Sequence, residues 1–488
     1  MEIIIRRKIL NSKRFKILRT ISCYVFIFLF VTRLIANAST IQPTSDAVVS
    51  DTLVDYKLNS EANTTSSVPV PLESNSLSYA VNTRIEENPY NNYEDKLKLH
   101  SSSSILIDMD VNRILYEKNA YQKMFPASTT KTLTAILTVE KCDLNAQVAV
   151  SHWAVNSVGN NYSKAKLAPG ELITVNDLLK TMMIESANDS AYVLGQYIAN
   201  NCTNTYPIDS SDTSKTYFND SIATFSTMMN EKAKSLGCIN SDFKNPNGMH
   251  VDTHYSCAYD LALIGQYAYS NNIIKDIVKE KSGTLPNTDK YTGAPRNYTT
   301  TNLLFSNGKP TYYEYATGLK TGYTSAGKSC MIATAEKDNR HLLCVVLYAE
   351  GTQRETDIKT LFEYGFNNYA YSTLVSQNAV VQTINAKNAT AETRELNVLA
   401  QDEIKILINT EEDKTVNINP EIKITRKLAP IKSGEVVGKI TYTIHDVKYE
   451  TNLIAEHDVE VRNYFIYIGI IFGVFLVALV FVIIKEKR

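Results

Sequence analysis

The chain has 488 residues, of which 44% are hydrophobic and 21% charged, and its formal net charge is -1. This length suits about three domains, the composition is typical of a globular protein, and the near-neutral charge argues against a nucleic-acid partner. The seven cysteines include no Cys-x-x-Cys pair, which argues against a structural zinc site and a dense disulfide framework but leaves one isolated disulfide open.

The N-terminus has the pattern of a secretory signal peptide. Several basic residues precede a mostly apolar segment at 21–35, and an Ala-Asn-Ala sequence ending at Ala38 follows. A basic region, a short apolar region and an A-x-A site are typical of such a signal. We therefore expect residues 1–38 to direct export, with cleavage after Ala38. The alternative is an uncleaved anchor, which Arg33 within the apolar segment disfavours.

We expect residues 39–98 to form a disordered linker. They are rich in Ser, Thr, Asn, Pro and Glu and contain few apolar clusters. A segment of this composition cannot bury enough apolar surface to offset the conformational entropy that folding removes. The first folded domain is therefore expected to begin at residue 99.

Residues 99–372 carry strand patterns at both ends and helical patterns between them. The apolar residues 105–107 and the stretch 113–116, which is apolar after Arg113, flank a turn and predict two strands. Helical spacing recurs at 128–141, 175–184, 190–199, 225–236, 258–268 and 356–364, and strand patterns return at 318–323, 331–335 and 342–348. This order predicts an α/β (α+β) domain, in which helices cover an antiparallel sheet completed by both ends of the segment.

The C-terminal third predicts a second domain and a membrane helix. Strict alternation of apolar and polar residues at 378–462, as in 404–406, 416–418, 422–424 and 440–444, predicts a small all-β sandwich. The twenty residues 465–484 carry no charge and would span about 30 Å as a helix. By the positive-inside rule the basic tail 485–488 is cytoplasmic, so we expect a single-pass protein with its domains outside the cell membrane.

The first helical pattern begins with a Ser-x-x-Lys motif, Ser128 to Lys131, which sets a hydroxyl beside an amine. Pro126 suits the turn into a helix, and Ser128 and Thr129 are residue types that cap free helical amides. Ser128 and Lys131 are three positions apart and share one helix face. A lysine of lowered pKa can take the proton of a serine and make it a nucleophile. Ser-x-x-Lys occurs at least four more times in the chain, so the pair alone is a weak signal.

Two further motifs follow this pair along the chain. Ser186 and Asn188 form a Ser-x-Asn between two helical patterns, and Lys320 begins a Lys-Thr-Gly on a predicted strand. A second cation such as Lys320 would lower the pKa of Lys131. Ser186 can relay a proton, and Asn188 can bind an amide carbonyl. Each motif is common alone, but their order is that of the penicilloyl-serine enzymes, and the ordered triple is a strong signal.

With these motifs, the sequence resembles the D-alanyl-D-alanine carboxypeptidases, the low-molecular-weight penicillin-binding proteins, over about residues 100–460. The shared stretches are 126–131, 186–189, 229–230, 232–237, 254–255, 260–262, 302–304, 318–324 and 429–430. The resemblance implies a β-lactamase/transpeptidase-like catalytic domain, a small β domain and a C-terminal anchor. It also implies peptidoglycan stem peptides and β-lactam antibiotics as partners, with no metal and no cofactor.

The resemblance also implies a role for each motif residue. Ser128 would form an acyl-enzyme with the penultimate D-alanine of a stem peptide, releasing the terminal D-alanine, with Lys131 as base and Ser186 assisting proton transfer. The amides of Ser128 and Tyr323 would form the oxyanion hole. The implied substrate-binding residues are Asn188, Lys320, Thr321, Gly322, Tyr323 and Arg354, with Arg354 holding the terminal carboxylate.

Two positions depart from the family pattern. Asn247 stands where the family usually has a histidine near the site, so any function of that imidazole is in doubt here. Lys328 stands where the family more often has an uncharged residue. Neither position belongs to the three motifs.

Several alternatives share part of this pattern. A D,D-endopeptidase or transpeptidase would use the same acyl-serine. A class A β-lactamase needs a glutamate that activates a water, and none of Glu231, Glu280 and Glu314 lies in a Glu-x-x-Leu-Asn setting. An envelope scaffold or penicillin sensor would have a decayed site, whereas all three motifs are intact.

A metallopeptidase is a further alternative, because His250 and His254 are four positions apart. Such spacing suits two metal ligands on one face of a helix. The stretch follows an Asn-Gly turn, however, and lacks an adjacent glutamate, so two ordinary loop histidines are expected.

Overall fold

The computed structural model describes residues 97–204, 212–410, 419–444 and 447–487. The expected signal peptide, nearly all of the expected linker and the end of the basic tail lie outside these residues.

The elements between residues 103 and 368 form an α+β fold. The strands are β1 (Ser103–Asp108), β2 (Arg113–Lys118), β3 (Gln147–Ala149), β4 (Leu172–Thr174), β5 (Ser282–Leu285), β6 (Arg296–Thr299), β7 (Ala316–Thr324), β8 (Lys328–Lys337) and β9 (Arg340–Ala349). The helices are α1 (Lys131–Lys141), α2 (His152–Asn156), α3 (Val175–Ile184), α4 (Asn188–Ala199), α5 (Asp212–Ser235), α6 (Ala258–Ser270), α7 (Asn272–Ile277) and α8 (Gln353–Asn368). Short 3₁₀ turns lie at Ala127–Thr130 and Leu303–Phe305.

One five-stranded sheet carries the site, in the order β2-β1-β9-β8-β7. Every neighbouring pair is antiparallel, and the sheet joins the two ends of the segment, which confirms the predicted architecture. Helix α6 covers one face, where Ile105 and Ile107 pack, and α8 covers the other, where Leu106 packs. Because both faces are covered, these strands carry continuous apolar runs. Strand β7 lies at the edge of the sheet.

Helix α1 forms the centre of the helical block. It packs against α3, α4, α5, α6 and α7, and its residues from Lys131 to Thr138 are all buried. Its N-terminal end and the preceding 3₁₀ turn lie against β7. The packing therefore brings the Ser-x-x-Lys and Lys-Thr-Gly motifs, which are far apart in the sequence, to one place.

After α8 the described chain is built of strands up to residue 455. These are β10 (Tyr369–Val375), β11 (Val380–Asn385), β12 (Glu395–Ala400), β13 (Ile404–Asn409), β14 (Glu421–Ile424), β15 (Val436–Ile444) and β16 (Val447–Ala455). β10 pairs with β13, and the other strands form a sheet in the order β11-β12-β16-β15-β14. Alternate residues such as Val398 and Leu453 fill a separate apolar core. The predicted β structure is confirmed, although 416–418 lies outside the described residues.

The last element is a long apolar helix, α9 (Tyr464–Lys487). Its segment Tyr467–Lys485 has a mean hydropathy of 3.1 and is not buried against the rest of the protein. By length and composition this helix could cross a membrane. An apolar helix that stays exposed has no protein core to stabilise it.

Candidate active site

Ser128 lies in the 3₁₀ turn immediately before α1. The turn begins after Pro126, and Ser128 is only partly buried whereas its neighbours Ala127 and Thr129 are buried. No side chain caps the turn or α1, so the expected capping by Ser128 and Thr129 is wrong. The Thr129 hydroxyl instead donates to the Pro126 carbonyl at 2.7 Å. The Ser128 hydroxyl is therefore left for another partner.

That partner is the amine of Lys131. Its Nζ lies 2.8 Å from Ser128 Oγ, 2.9 Å from Asn188 Oδ1 and 2.8 Å from the Asn247 carbonyl oxygen. A neutral amine has two hydrogens and one lone pair. In the neutral form, donation to Asn188 and Asn247 uses both hydrogens and leaves the lone pair for the Ser128 hydroxyl. This is the arrangement that a base requires for taking the serine proton.

Two effects favour the neutral form of this amine. Burial of Lys131 is the larger effect and lowers its pKa well below the usual lysine range, and the Lys320 cation lowers it further. The Asp189 carboxylate acts in the opposite direction. The sequence suggested Lys320 as the cause, whereas in the structure the neighbouring cation ranks second to burial.

The third contact of Lys131 comes from a tight turn at residues 245–249. The Asn245 side chain accepts the Gly248 amide at 2.7 Å and donates to the Met249 carbonyl at 2.9 Å. Gly248 has φ +78°, and a Cβ there would lie 1.8 Å from the Ala127 carbonyl oxygen, so only glycine fits. The turn thus packs against the start of the helix and presents the Asn247 carbonyl to Lys131.

The structure shows what Asn247 contacts in place of the histidine that the family usually has. Its main-chain oxygen contacts Lys131, and its side-chain Oδ1 accepts the Met249 amide at 3.0 Å. Every residue type supplies a main-chain carbonyl, so the contact with Lys131 does not depend on an imidazole. Sequence reasoning missed this contact because main-chain groups leave no residue signature.

The second motif lies where α3 turns into α4. Asn188 is the first residue of α4, and its Nδ2 donates to the Ser163 carbonyl at 3.1 Å while its Oδ1 faces Lys131. Both ends of the amide are therefore oriented by the protein. Ser186 is buried in the connecting turn, with φ 68°, two residues before Asn188. The structure thus brings Asn188 into contact with Lys131.

The third motif lies on β7, next to Ser128. Lys320 is buried, and its Nζ donates to the Thr321 carbonyl at 2.9 Å, while the Thr321 hydroxyl bonds to that of Thr301. A Cβ on Gly322 would lie 2.9 Å from the Ser128 amide nitrogen, so the strand backbone approaches this amide closely. Tyr323 follows, with 63% of its surface exposed. The edge strand therefore lies directly beside Ser128.

Arg354, on α8, contacts strand β7 at the Lys-Thr-Gly motif. Its Nη1 donates to the Gly322 carbonyl at 3.1 Å, and its Nε donates to the buried Glu355 at 2.8 Å. With its side chain 11% exposed, it is not a solvated loop cation. Burial, together with this cation, lowers the pKa of Lys320 to about 7. The structure thus gathers Ser128, Lys131, Asn188, the β7 motif and Arg354 in one region.

The glutamates of the β-lactamase alternative are engaged elsewhere or exposed. Glu280 pairs with Lys180 at 2.7 Å, and Glu231 and Glu314 are exposed on the surface. None of them contacts Lys131. The structure therefore gives no support to a glutamate-activated water.

The two histidines of the metallopeptidase alternative do not form a metal site. His254 is buried, its Nδ1 accepts the Lys244 amide at 3.2 Å, and its Nε2 lies 3.0 Å from the Thr130 hydroxyl. Burial lowers the pKa of His254 to about 4, so its ring is neutral near pH 7. Among the described residues, no group of three or more His, Cys, Asp or Glu side chains could hold a metal ion. His254 instead supports the start of α1.

Comparisons with known proteins identify the family of this chain. The family model for D-alanyl-D-alanine carboxypeptidase, peptidase S11, matches residues 90–204 and 216–351, just over half of the chain. The model for the C-terminal domain of penicillin-binding protein 5 matches residues 369–461. The match thus covers both the site and the β strands that follow it.

Individual relatives give the same result. The D-alanyl-D-alanine carboxypeptidase DacF of Bacillus subtilis is 29% identical over 75% of this chain and 86% of its own length. The carboxypeptidase DacC of Escherichia coli is 28% identical over 74% and 84%. The solved penicillin-binding protein 5 of Haemophilus influenzae covers 74% of this chain and 98% of its own, with a TM-score of 0.53 and 23% identity, and so supports the fold. The chain therefore belongs to the D-alanyl-D-alanine carboxypeptidases, the peptidase S11 family.

Proposed function

We propose that this protein removes the terminal D-alanine from peptidoglycan stem pentapeptides by an acyl-enzyme on Ser128, and so limits cross-linking. The observation that carries the proposal is the buried Lys131 amine, whose pKa is lowered by burial and by Lys320, 2.8 Å from Ser128 Oγ. Lys131 takes the hydroxyl proton as Oγ attacks the carbonyl of the penultimate D-alanine. The peptide C–N bond then breaks, and the leaving amine gains a proton that Ser186 relays.

Water completes the reaction by hydrolysing the acyl-serine ester. The amides of Ser128 and Tyr323 would stabilise the oxyanion in both steps. The close approach of Gly322 to the Ser128 amide supports this role, because it sets the β7 backbone beside that amide. The β-lactam amide of a penicillin would acylate the same Oγ, which makes such antibiotics covalent ligands.

The substrate carboxylate would bind at the junction of β7 and α8. Lys320, Thr321 and Arg354 are the groups we assign to it, and Asn188 would orient the peptide. Arg354 supports the assignment because its Nη1 already bonds to the Gly322 carbonyl, so its guanidinium points to the strand rather than to solvent. Planar guanidinium groups suit carboxylates because two N–H groups can bond in parallel.

Release of D-alanine tests the proposal directly. We expect the full-length protein, purified in detergent, to release D-alanine from a Lys-D-Ala-D-Ala peptide. The matched control is the same peptide with an amidated C-terminus, which lacks the carboxylate and should be processed at least about 100-fold more slowly. Failure to release D-alanine from the free acid, or equal rates for both peptides, would refute the activity or the carboxylate site respectively.

We propose that α9 anchors the catalytic and β domains to the outer face of the cell membrane. The length, hydropathy and exposure of α9 support this, and the expected signal at 1–38 and linker at 39–98 would complete an exported chain with domains at 99–372 and 378–462. Ending the chain after Arg462 should move the protein from the membrane fraction to the soluble fraction, while penicillin labelling persists. Continued sedimentation with membranes would contradict the anchor.

A further inference from the structure

Two cysteines of the helical block have their sulfur atoms in contact. Cys142 is the residue that ends α1, and Cys202 follows α4 by three residues. The two Sγ atoms lie 2.8 Å apart, and Cys202 Sγ lies 3.3 Å from the Lys141 carbonyl oxygen. Both cysteines are free thiols here, half-buried and packed against the main apolar core.

The backbone after α4 directs Cys202 towards α1. Asn201 and Cys202 have φ values of 54° and 55°, a left-handed conformation that non-glycine residues rarely adopt. The Cys202 amide donates to the Tyr197 carbonyl at 3.0 Å, which fixes this turn on the end of the helix. The contact between the two sulfurs is thus built by a defined backbone turn and by the packing of α1 against α4.

We propose that Cys142 and Cys202 form an intramolecular disulfide in the exported protein, which braces α1 against α4. A disulfide bond is about 2.05 Å long, so the sulfurs need to approach by only about 0.8 Å from their present contact. Disulfides persist in oxidising compartments outside the cytosol, where we propose that this domain works. The other ends of the same two helices carry Lys131 and Asn188, so the bond would stabilise the elements that hold the base.

The bond can form by thiol–disulfide exchange with a low-molecular-weight disulfide. The hydrogen bond from Cys142 lowers the pKa of Cys202, and the Lys141 cation lowers it further, so Cys202 supplies the attacking thiolate. It displaces one small thiol and forms a mixed disulfide. The Cys142 thiol then loses its proton and attacks the Cys202 sulfur, which releases the second small thiol. Two electrons pass to the oxidant, which ends as two thiols.

Differential alkylation of the full-length protein tests the proposal. Cells expressing the chain are quenched with acid, the protein is denatured in one alkylating reagent so that buried free thiols also react, and it is then reduced and treated with a second, mass-distinct reagent. We expect Cys142 and Cys202 to carry the second label and Cys238, Cys257, Cys330 and Cys344 the first. In detergent, oxidised glutathione should give a linked 142–202 peptide and raise the melting temperature by about 5–10 °C over the reduced protein.

Single substitutions provide the controls. C142S and C202S should each abolish the linked peptide and the rise in melting temperature, whereas C238S, which removes a buried thiol elsewhere in the block, should keep both. The first label on both Cys142 and Cys202 in the wild-type protein would overturn the disulfide, and this readout does not depend on any variant folding. Equal melting temperatures of the oxidised and reduced protein would overturn the bracing role. Penicillin labelling, measured in parallel, reports separately on the proposed catalytic function.

Discussion

Ser128→Ala is expected to abolish covalent penicillin binding and to lower D-alanine release by about 10⁴- to 10⁶-fold, since losing a serine nucleophile removes the acyl-enzyme route. The change should leave the fold intact, because Ser128 is partly exposed and its hydroxyl contacts the Lys131 amine rather than capping the helix. Intact-protein mass spectrometry after incubation with a penicillin measures the adduct. Proteolysis of the wild-type adduct then locates the acylated residue.

Ser306→Ala is the matched control, because Ser306 and Lys309 form another Ser-x-x-Lys pair in the same domain. Its amide donates to the Leu303 carbonyl within its own turn rather than to a group of the proposed site, so the variant should acylate and release D-alanine at wild-type rates. An adduct on any residue other than Ser128, or release that persists in Ser128→Ala, would refute the proposed nucleophile.

The order of the motifs in the sequence predicted the candidate site, and the structure adds main-chain contacts to it. Ser128, Lys131 and Asn188 could be selected because each has a chemistry-bearing side chain in a recognisable motif. The Asn247 carbonyl, 116 residues from Lys131, could not be, because a backbone oxygen has no residue signature. The requirement for glycine at Gly248 could not be predicted either. It arises because the Ala127 carbonyl packs where a Cβ would lie.

The fold was predictable where apolar periodicity was strong. The central strands β1, β8 and β9 and the buried helix α1 all fall where the sequence places them, although α1 begins at Lys131 rather than at 128. The first half of α5, from Asp212, was missed because it is rich in Asp, Ser, Thr and Asn, which favour other conformations. Short pairs such as β3 with β4 are three residues long and give too little alternation to recognise.

Lys131 illustrates how packing changes a chemical inference. From the sequence, Lys320 was the candidate for lowering its pKa, because a second cation was the only visible cause. In the structure, burial of the whole α1 N-terminus is the larger cause. The two effects differ in a testable way, because burial persists when Lys320 is replaced whereas the charge does not.

Lys320→Met should shift the pH dependence of acylation and lower its maximum rate by about 10²- to 10³-fold. In the wild-type protein we expect the rate to rise with pH as Lys131 loses its proton, and to fall as Lys320, with a pKa of about 7, loses the charge that would hold the carboxylate. Without the Lys320 cation, the pKa of Lys131 increases, so the rising limb moves to higher pH. The falling limb due to Lys320 disappears.

The second-order rate of penicillin acylation between pH 4 and 10, normalised to each variant's own maximum, separates this shift from weaker binding. Lys328→Met is the matched control, because it removes the same charge from the neighbouring strand β8, where Lys328 is partly exposed and pairs with Glu350 at 3.2 Å. Its profile should coincide with that of the wild-type protein. A rising limb at the same pH in Lys320→Met and the wild-type protein would show that burial alone keeps Lys131 neutral. The sequence-based assignment of Lys320 as a cause of that neutrality would then be wrong.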